Sequence, residues 1–236
     1  MIYFIIALVA CSIGSMLGIG GGVIIVPTLI SLGISKELAA VSSSLTVCIM
    51  AALSSYTYMK RKQGDIKTAL VIIIGSIPGS YIGVYLNKIV SPGLFNILFS
   101  LLIVLLLVLM LIKDKLPNMN LGKVSKVMFG LFIGILSGLF GIGGGPITIP
   151  VLLVFFALTQ KVASATSSYV TLVTALISVL SNIASGNNDL SLSLFMIPGA
   201  IIGAKIGTFL NKKVNEKVIT ITFNVLLIYL LIRQFI

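Results

Sequence analysis

The chain has 236 residues, 58% of them hydrophobic and only 9% charged, and its 16 lysines and arginines against five acidic residues leave a formal charge of +11. A soluble globular domain carries about 25% charged residues, so this composition excludes one. Nearly every charge lies between apolar runs, which makes the basic excess a marker of membrane-facing loops and points to the lipid bilayer, not to nucleic acid, as the partner.

Eight apolar segments follow one another in the chain. The first, 2–33, is too long for a simple span and is broken by Gly18-Ile19-Gly20-Gly21-Gly22. Its Leu8-Val9-Ala10-Cys11 has the look of a lipoprotein cleavage box. No positive n-region precedes it and apolar sequence continues beyond it, so it reads as an ordinary membrane segment. The second segment, 38–59, opens on Ser42-Ser43-Ser44. The third, 67–87, carries Gly75, Gly79 and Gly83 at the spacing of a helix–helix contact face. The fourth, 92–112, contains Asn96. A polar linker, 113–123, then divides the chain near its middle.

The second half reads the same way. The fifth segment, 124–158, is again over-long and broken by Gly141-Ile142-Gly143-Gly144-Gly145. The sixth, 162–184, opens on Thr166-Ser167-Ser168, with Tyr169 as a weaker extra donor. The seventh, 190–211, carries Gly199, Gly203 and Gly207, together with Lys205. The eighth, 214–232, holds Asn224. The glycine clusters stand at an offset of 123, and the hydroxyl clusters, Asp65 and Asp189, and the glycine runs at 124. Shared hydrophobicity does not produce landmarks at a nearly constant offset. The chain is therefore read as an all-α polytopic membrane protein of two homologous four-segment repeats, 1–112 and 124–236.

Loop charge bears on how the repeats are oriented. If every segment spans, nine basic residues fall on one side and six on the other. If the first and fifth segments double back at their glycines, the split becomes twelve against three, with Lys36, Lys88 and Arg233 in the minority. The expectation is six spans and two re-entrant hairpins, related by a pseudo-twofold axis in the membrane plane.

The glycine clusters are the first candidates for a site. Irregular backbone at membrane depth survives only where protein buries it or where it lines a cavity. Short helices starting near Val23 and Pro146 would point their N-termini, each with about half a positive charge and free N–H groups, at a common anion. The competing reading is a kink or a close helix contact. A nucleotide loop is excluded, since GxGxxG would need glycine at Val23 or Pro146. Ser42, Ser43, Ser44, Thr166, Ser167 and Ser168 offer neutral donors, or else bond their own helix backbone. Asn96 and Asn224 read as interhelical bonds or cavity lining. Lys205 either meets the anion or snorkels to the interface. Asp65 and Asp189 stand at helix starts and are expected to cap them. No acidic residue lies well inside a segment, which disfavours cation transport. With no histidine and two isolated cysteines, neither a metal nor a cofactor is expected, and an enzyme is the weakest reading.

The paired Gly-Ile-Gly-Gly-Gly-x4-Pro motifs, the Ser/Thr-rich helices after them and the two-fold repeat resemble the TauE/SafE family over about residues 3 to 233. The resemblance implies a cell-membrane permease, often an exporter, for sulfur oxyanions or organosulfonates such as sulfite or sulfoacetate. It carries over to Gly18, Gly20, Gly21, Gly22, Gly141, Gly143, Gly144 and Gly145, and to no catalytic residue. The expectation is a carrier of a small anionic substrate working by alternating access, with a passive anion channel second. A homo-oligomer is compatible with the sequence.

Overall fold

The computed structural model describes residues 1–113 and 122–235, and the side chains through 233. Most of the expected linker, 114–121, lies outside the described residues, as does Asp114. Ten helices run in the order α1 (Ile2–Leu17), α2 (Gly22–Ser31), α3 (Lys36–Lys60), α4 (Ile66–Ile89), α5 (Pro92–Ile112), α6 (Lys123–Phe140), α7 (Gly145–Phe155), α8 (Gln160–Ala184), α9 (Ser191–Lys213) and α10 (Glu216–Phe235). No strand occurs among the described residues.

Local chemistry sets the helix ends. Ser35, Asp65 and Ser91 cap α3, α4 and α5 by accepting the N–H groups of Leu38, Thr68 and Leu94. Asp189 differs from the expected cap. It stands one residue before Leu190, the N-cap of α9, and accepts from both the N–H and the hydroxyl of Ser191. α1 and α6 both end on a left-handed glycine, Gly18 and Gly141, whose N–H returns to Gly14 and Ser137.

Among the described residues, six helices are long and apolar enough to cross a membrane: α3, α4, α5, α6, α8 and α9. Five of these, α3, α4, α5, α8 and α9, are the expected spans 38–59, 67–87, 92–112, 162–184 and 190–211. α6, the first arm of the fifth segment, also qualifies, with 18 residues. At 1.5 Å per residue α6 is about 27 Å long, close to the hydrocarbon thickness. The sixth expected span, 214–232, falls on α10, whose last side chains lie outside the described residues. The chain is a multi-pass membrane protein.

Helix contacts between the two halves come in reciprocal pairs. Gly75, Gly79 and Gly83 of α4 lie against the backbone of Val127, Leu131 and Ile135 of α6. Gly199, Gly203 and Gly207 of α9 lie against Phe4, Leu8 and Ser12 of α1, the equivalent residues of the other half. Absence of a Cβ is what allows this approach, as in small-residue interfaces generally. The same reciprocity governs the helix ends. The Asn87 amide donates to the carbonyl of Leu139 at 2.6 Å, and that of Asn211 to Met16 at 2.7 Å.

These contacts also give directions. α4 runs parallel to α6, and α9 parallel to α1. Lys36 at the start of α3 donates to the carbonyl of Asn87 at the end of α4, and Lys88 to Ser185 at the end of α8. At the other end of the bundle, Arg61 after α3 donates to Thr208 near the end of α9. Tyr169 in the first half of α8 donates to the carbonyl of Gln63. α3 and α8, the equivalent helices at the centre, therefore run antiparallel.

Candidate functional site

The two glycine breaks meet at the centre of the bundle. A Cβ on Gly22 would stand 2.6 Å from the Cα of Ile142, and one on Gly145 2.5 Å from the carbonyl carbon of Ile19. Gly20 and Gly143 both face Val47 of α3 and Thr171 of α8, themselves equivalent residues. Gly18 lies on Ser164, and Gly141 on the matching Ala40. All ten residues of the two motifs are buried. Gly18, Gly20, Gly21, Gly141, Gly143 and Gly144 hold φ between 68° and 89°, a region costly for any residue with a Cβ. Gly22 and Gly145 are the first residues of α2 and α7, and Pro146 sits in the first turn of α7, where its missing N–H is no loss. Two helix N-termini thus start from one place.

The hydroxyl clusters divide. On α3, Ala40 and Val47 face the glycines, and Ser43 and Ser44 fall between them on the same stripe of the helix. Ser42, Ser43 and Ser44 are fully buried, and their hydroxyls have no partner among the described residues. On α8 the hydroxyls are engaged. Ser167 donates to the carbonyl of Gly18 at 2.8 Å and so pins the first glycine loop. Ser168 donates back to Ser164, and Thr166 to Val162 while accepting the N–H of Asp65 at 2.8 Å. Thr166 therefore ties α8 to the α3–α4 turn and stands apart from the glycines.

Three candidates lie elsewhere. Lys205 is exposed on the outer face of α9, opposite the Gly203–Gly207 stripe that packs on α1. Asn96 lines a crevice of about 160 Å³ with Val26, Ser31 and Arg233, whose guanidinium donates to Thr28 at 2.9 Å. Asn224 lines a crevice of about 1020 Å³ near the start of α8, with Gln160, Glu216 and Lys217. The two asparagines occupy matching places at opposite ends of the bundle, away from the glycines.

Three hydroxyls that the sequence did not single out border the second motif. Thr174 donates to the carbonyl of Gly143 at 2.7 Å. Thr171 places its methyl against Gly143 and Gly20, and Ser137 its Cβ against Gly144. Their equivalents in the first half are Met50, Val47 and Gly14, so a position-by-position reading of the repeat for lost polarity was the signal that could have found them.

The atoms nearest the glycines at the meeting point are backbone and the side chains of Val47, Ile133, Ser137, Thr171 and Thr174, with Ala40 and Ser164 on either side, all of them neutral. The Asp65 carboxyl at the edge of the bundle is pushed up by burial. Hydrogen bonds from Thr68 and the charge of Lys126 outweigh that and hold it below its ordinary value.

Comparison with known proteins gives the same outline. The chain is 31% identical to a probable membrane transporter protein, YunE, of Bacillus subtilis, over 97% of this chain and 94% of that one. It is 27% identical to a probable membrane transporter protein of Methanocaldococcus jannaschii, over 90% and 86% of the two chains. A third relative, a probable membrane transporter protein of Haemophilus influenzae, is 25% identical over 87% and 82%. No solved structure matches. The model of the family described as "Sulfite exporter TauE/SafE" matches residues 3–233. Eight apolar segments, two glycine breaks meeting in a helical membrane bundle and a family match over nearly the whole length converge: this chain is a membrane transporter that belongs to the TauE/SafE family.

Proposed function

We propose that the protein carries a small anion, sulfite or an organosulfonate, across the cell membrane by alternating access. The two halves act as inverted repeats, and their re-entrant hairpins bring two helix N-termini to one binding place. The observation that carries this reading is the contact of Gly22 with Ile142 and of Gly145 with Ile19. It joins the starts of α2 and α7, whose partial positive charges and N–H groups favour an anion. The description of the matching family as a sulfite exporter supports the substrate class. Burial of every residue of the two motifs supports a carrier over an open pore. Purified protein in liposomes, loaded with unlabelled sulfite and given labelled sulfite outside, is expected to show saturable uptake and counterflow. Flux that rises linearly without counterflow would assign a channel. No flux of sulfite or methanesulfonate would remove the substrate class.

A further inference from the structure

Because the two glycine motifs are equivalent, the differences between them are informative. In the first, the N–H groups of Gly18, Ile19 and Gly20 all turn to the carbonyl of Gly14, at 2.8, 2.9 and 3.4 Å. In the second, only Gly141 donates to the equivalent carbonyl of Ser137, at 2.8 Å. The N–H groups of Ile142, Gly143, Gly144 and Gly145 reach no acceptor among the described residues, although all four residues are buried; those of Gly21 and Gly22 are open as well, so the two motifs differ at Ile142 and Gly143. Unpaired buried N–H groups are rare in folded proteins and call for a partner.

Two hydroxyls beside them are in the same condition. Thr171 and Ser137 are each 0% exposed, and neither oxygen has a hydrogen-bond partner among the described residues. The methyl of Thr171 lies 3.0 Å from where a Cβ on Gly143 would stand, and the Cβ of Ser137 lies 3.4 Å from the same point on Gly144. At the equivalent positions the first motif has Val47 and Gly14, which offer no side-chain donor. Consecutive N–H groups in left-handed glycine backbone form an anion-binding concavity, and here it opens the N-terminus of α7, an 11-residue helix.

We propose that the anion is seated on one side of the pseudo-twofold, in a cradle made by the N–H groups of residues 142–145 and by the hydroxyls of Thr171 and Ser137. The ligand class is a small oxyanion, held by neutral donors alone. The first motif closes the cradle through Ile19 and Gly20 and offers fewer donors of its own. This inference rests on the anion-transport reading above and names the residues of that site.

The test is sulfite and methanesulfonate binding to the purified protein, read as the ligand-dependent rise of the thermal midpoint. Thr171→Val copies the first motif, and Ser137→Ala removes only the oxygen. Each is expected to weaken binding by roughly tenfold or more, the loss of one hydrogen bond to a charged group. Thr171→Ser keeps the hydroxyl and is expected to bind as the unaltered protein does. Ligand-free midpoints report whether each variant folds, and Ser137→Ala answers alone if Thr171→Val does not. Undiminished binding in both hydroxyl-deleted variants would overturn the one-sided seat while leaving anion transport intact. An unaltered protein that neither binds nor transports either anion would overturn the transport reading, and the seat with it.

Discussion

Gly22 and Ile142 touch so closely that a Cβ on the glycine would stand 2.6 Å from the Cα of the isoleucine, and Gly145 meets Ile19 in the same way. Each half of the chain thus supplies a glycine that the other half's loop requires. The repeats cannot be separated without opening the meeting point.

Gly21 and Gly144 hold φ of 70° and 73°, and a side chain on them would meet the carbonyl of Ala10 and the Cγ2 of Ile133. Valine at either position adds about 1–3 kcal/mol of backbone strain to that overlap. The outer helices do not depend on these residues, so Gly21→Val and Gly144→Val are expected to reach the membrane but lose more than about tenfold in transport. Transport per inserted protein checks this; full activity in both variants would sink the glycine site.

Gly79 and Gly93 should answer a larger side chain in opposite ways. Gly79 packs directly on the carbonyl of Leu131 and within 3.1 Å of Gly134 Cα, measured from its would-be Cβ. Gly79→Val is expected to part α4 from α6 and cost at least about 1–3 kcal/mol. Gly93, in the first turn of α5, has nothing within 4 Å, and Gly93→Ala is expected to gain about 0.5–1 kcal/mol of helix stability. Thermal midpoints in detergent measure both; a loss of equal size in the two variants would deny the packing role of the α4 stripe.

Lys205→Gln is expected to leave the affinity for anions unchanged, because its side chain stands on the exposed face of α9. Michaelis constants for sulfite transport decide the matter. A several-fold rise on removing the charge would return Lys205 to the site.

Asp65 gives a pH dependence with a definite sign. Burial raises its carboxyl pKa, but the Thr68 hydrogen bonds and Lys126 lower it further, so the folded value lies below the unfolded one. The ionised cap therefore stabilises the fold at and above the ordinary carboxylate pKa, and its contribution fades as the pH falls through the folded value. Asp65→Ala is expected to cost about 1 kcal/mol at neutral pH, with the gap to the unaltered protein closing in acid. A gap constant from neutral to acid pH would show that the charge is not what matters.

Much of the architecture could be read from periodic landmarks. The glycine runs at 75–83 and 199–207 announced helix contact faces, and their partners proved to be α6 and α1. The two Gly-Ile-Gly-Gly-Gly motifs could be read as chain breaks, since three successive glycines leave the backbone free to turn. What escaped is a matter of facing. Lys205 sits between Gly203 and Gly207 in sequence, and only the contact with α1 shows that the glycines point inward and the lysine outward. Ser137, Thr171 and Thr174 are single hydroxyls in apolar helices and look unremarkable until the second glycine loop is laid against them. Thr166 looked equivalent to its neighbours, yet the turn before α4 claims it.

The sequence by itself determined that this is a helical membrane protein, where its helices break, and that the same landmarks recur in its two halves at a nearly constant offset. Those properties follow from hydrophobic length, glycine freedom and constant offset, all of which are local or one-dimensional. The tertiary structure alone decided that the two breaks meet, and that Ile19 and Gly20 turn their amides to Gly14 while those of Ile142 and Gly143 find no acceptor among the described residues. A donor's partner is fixed by which backbone packs beside it, and in this fold that backbone comes from about 120 residues away.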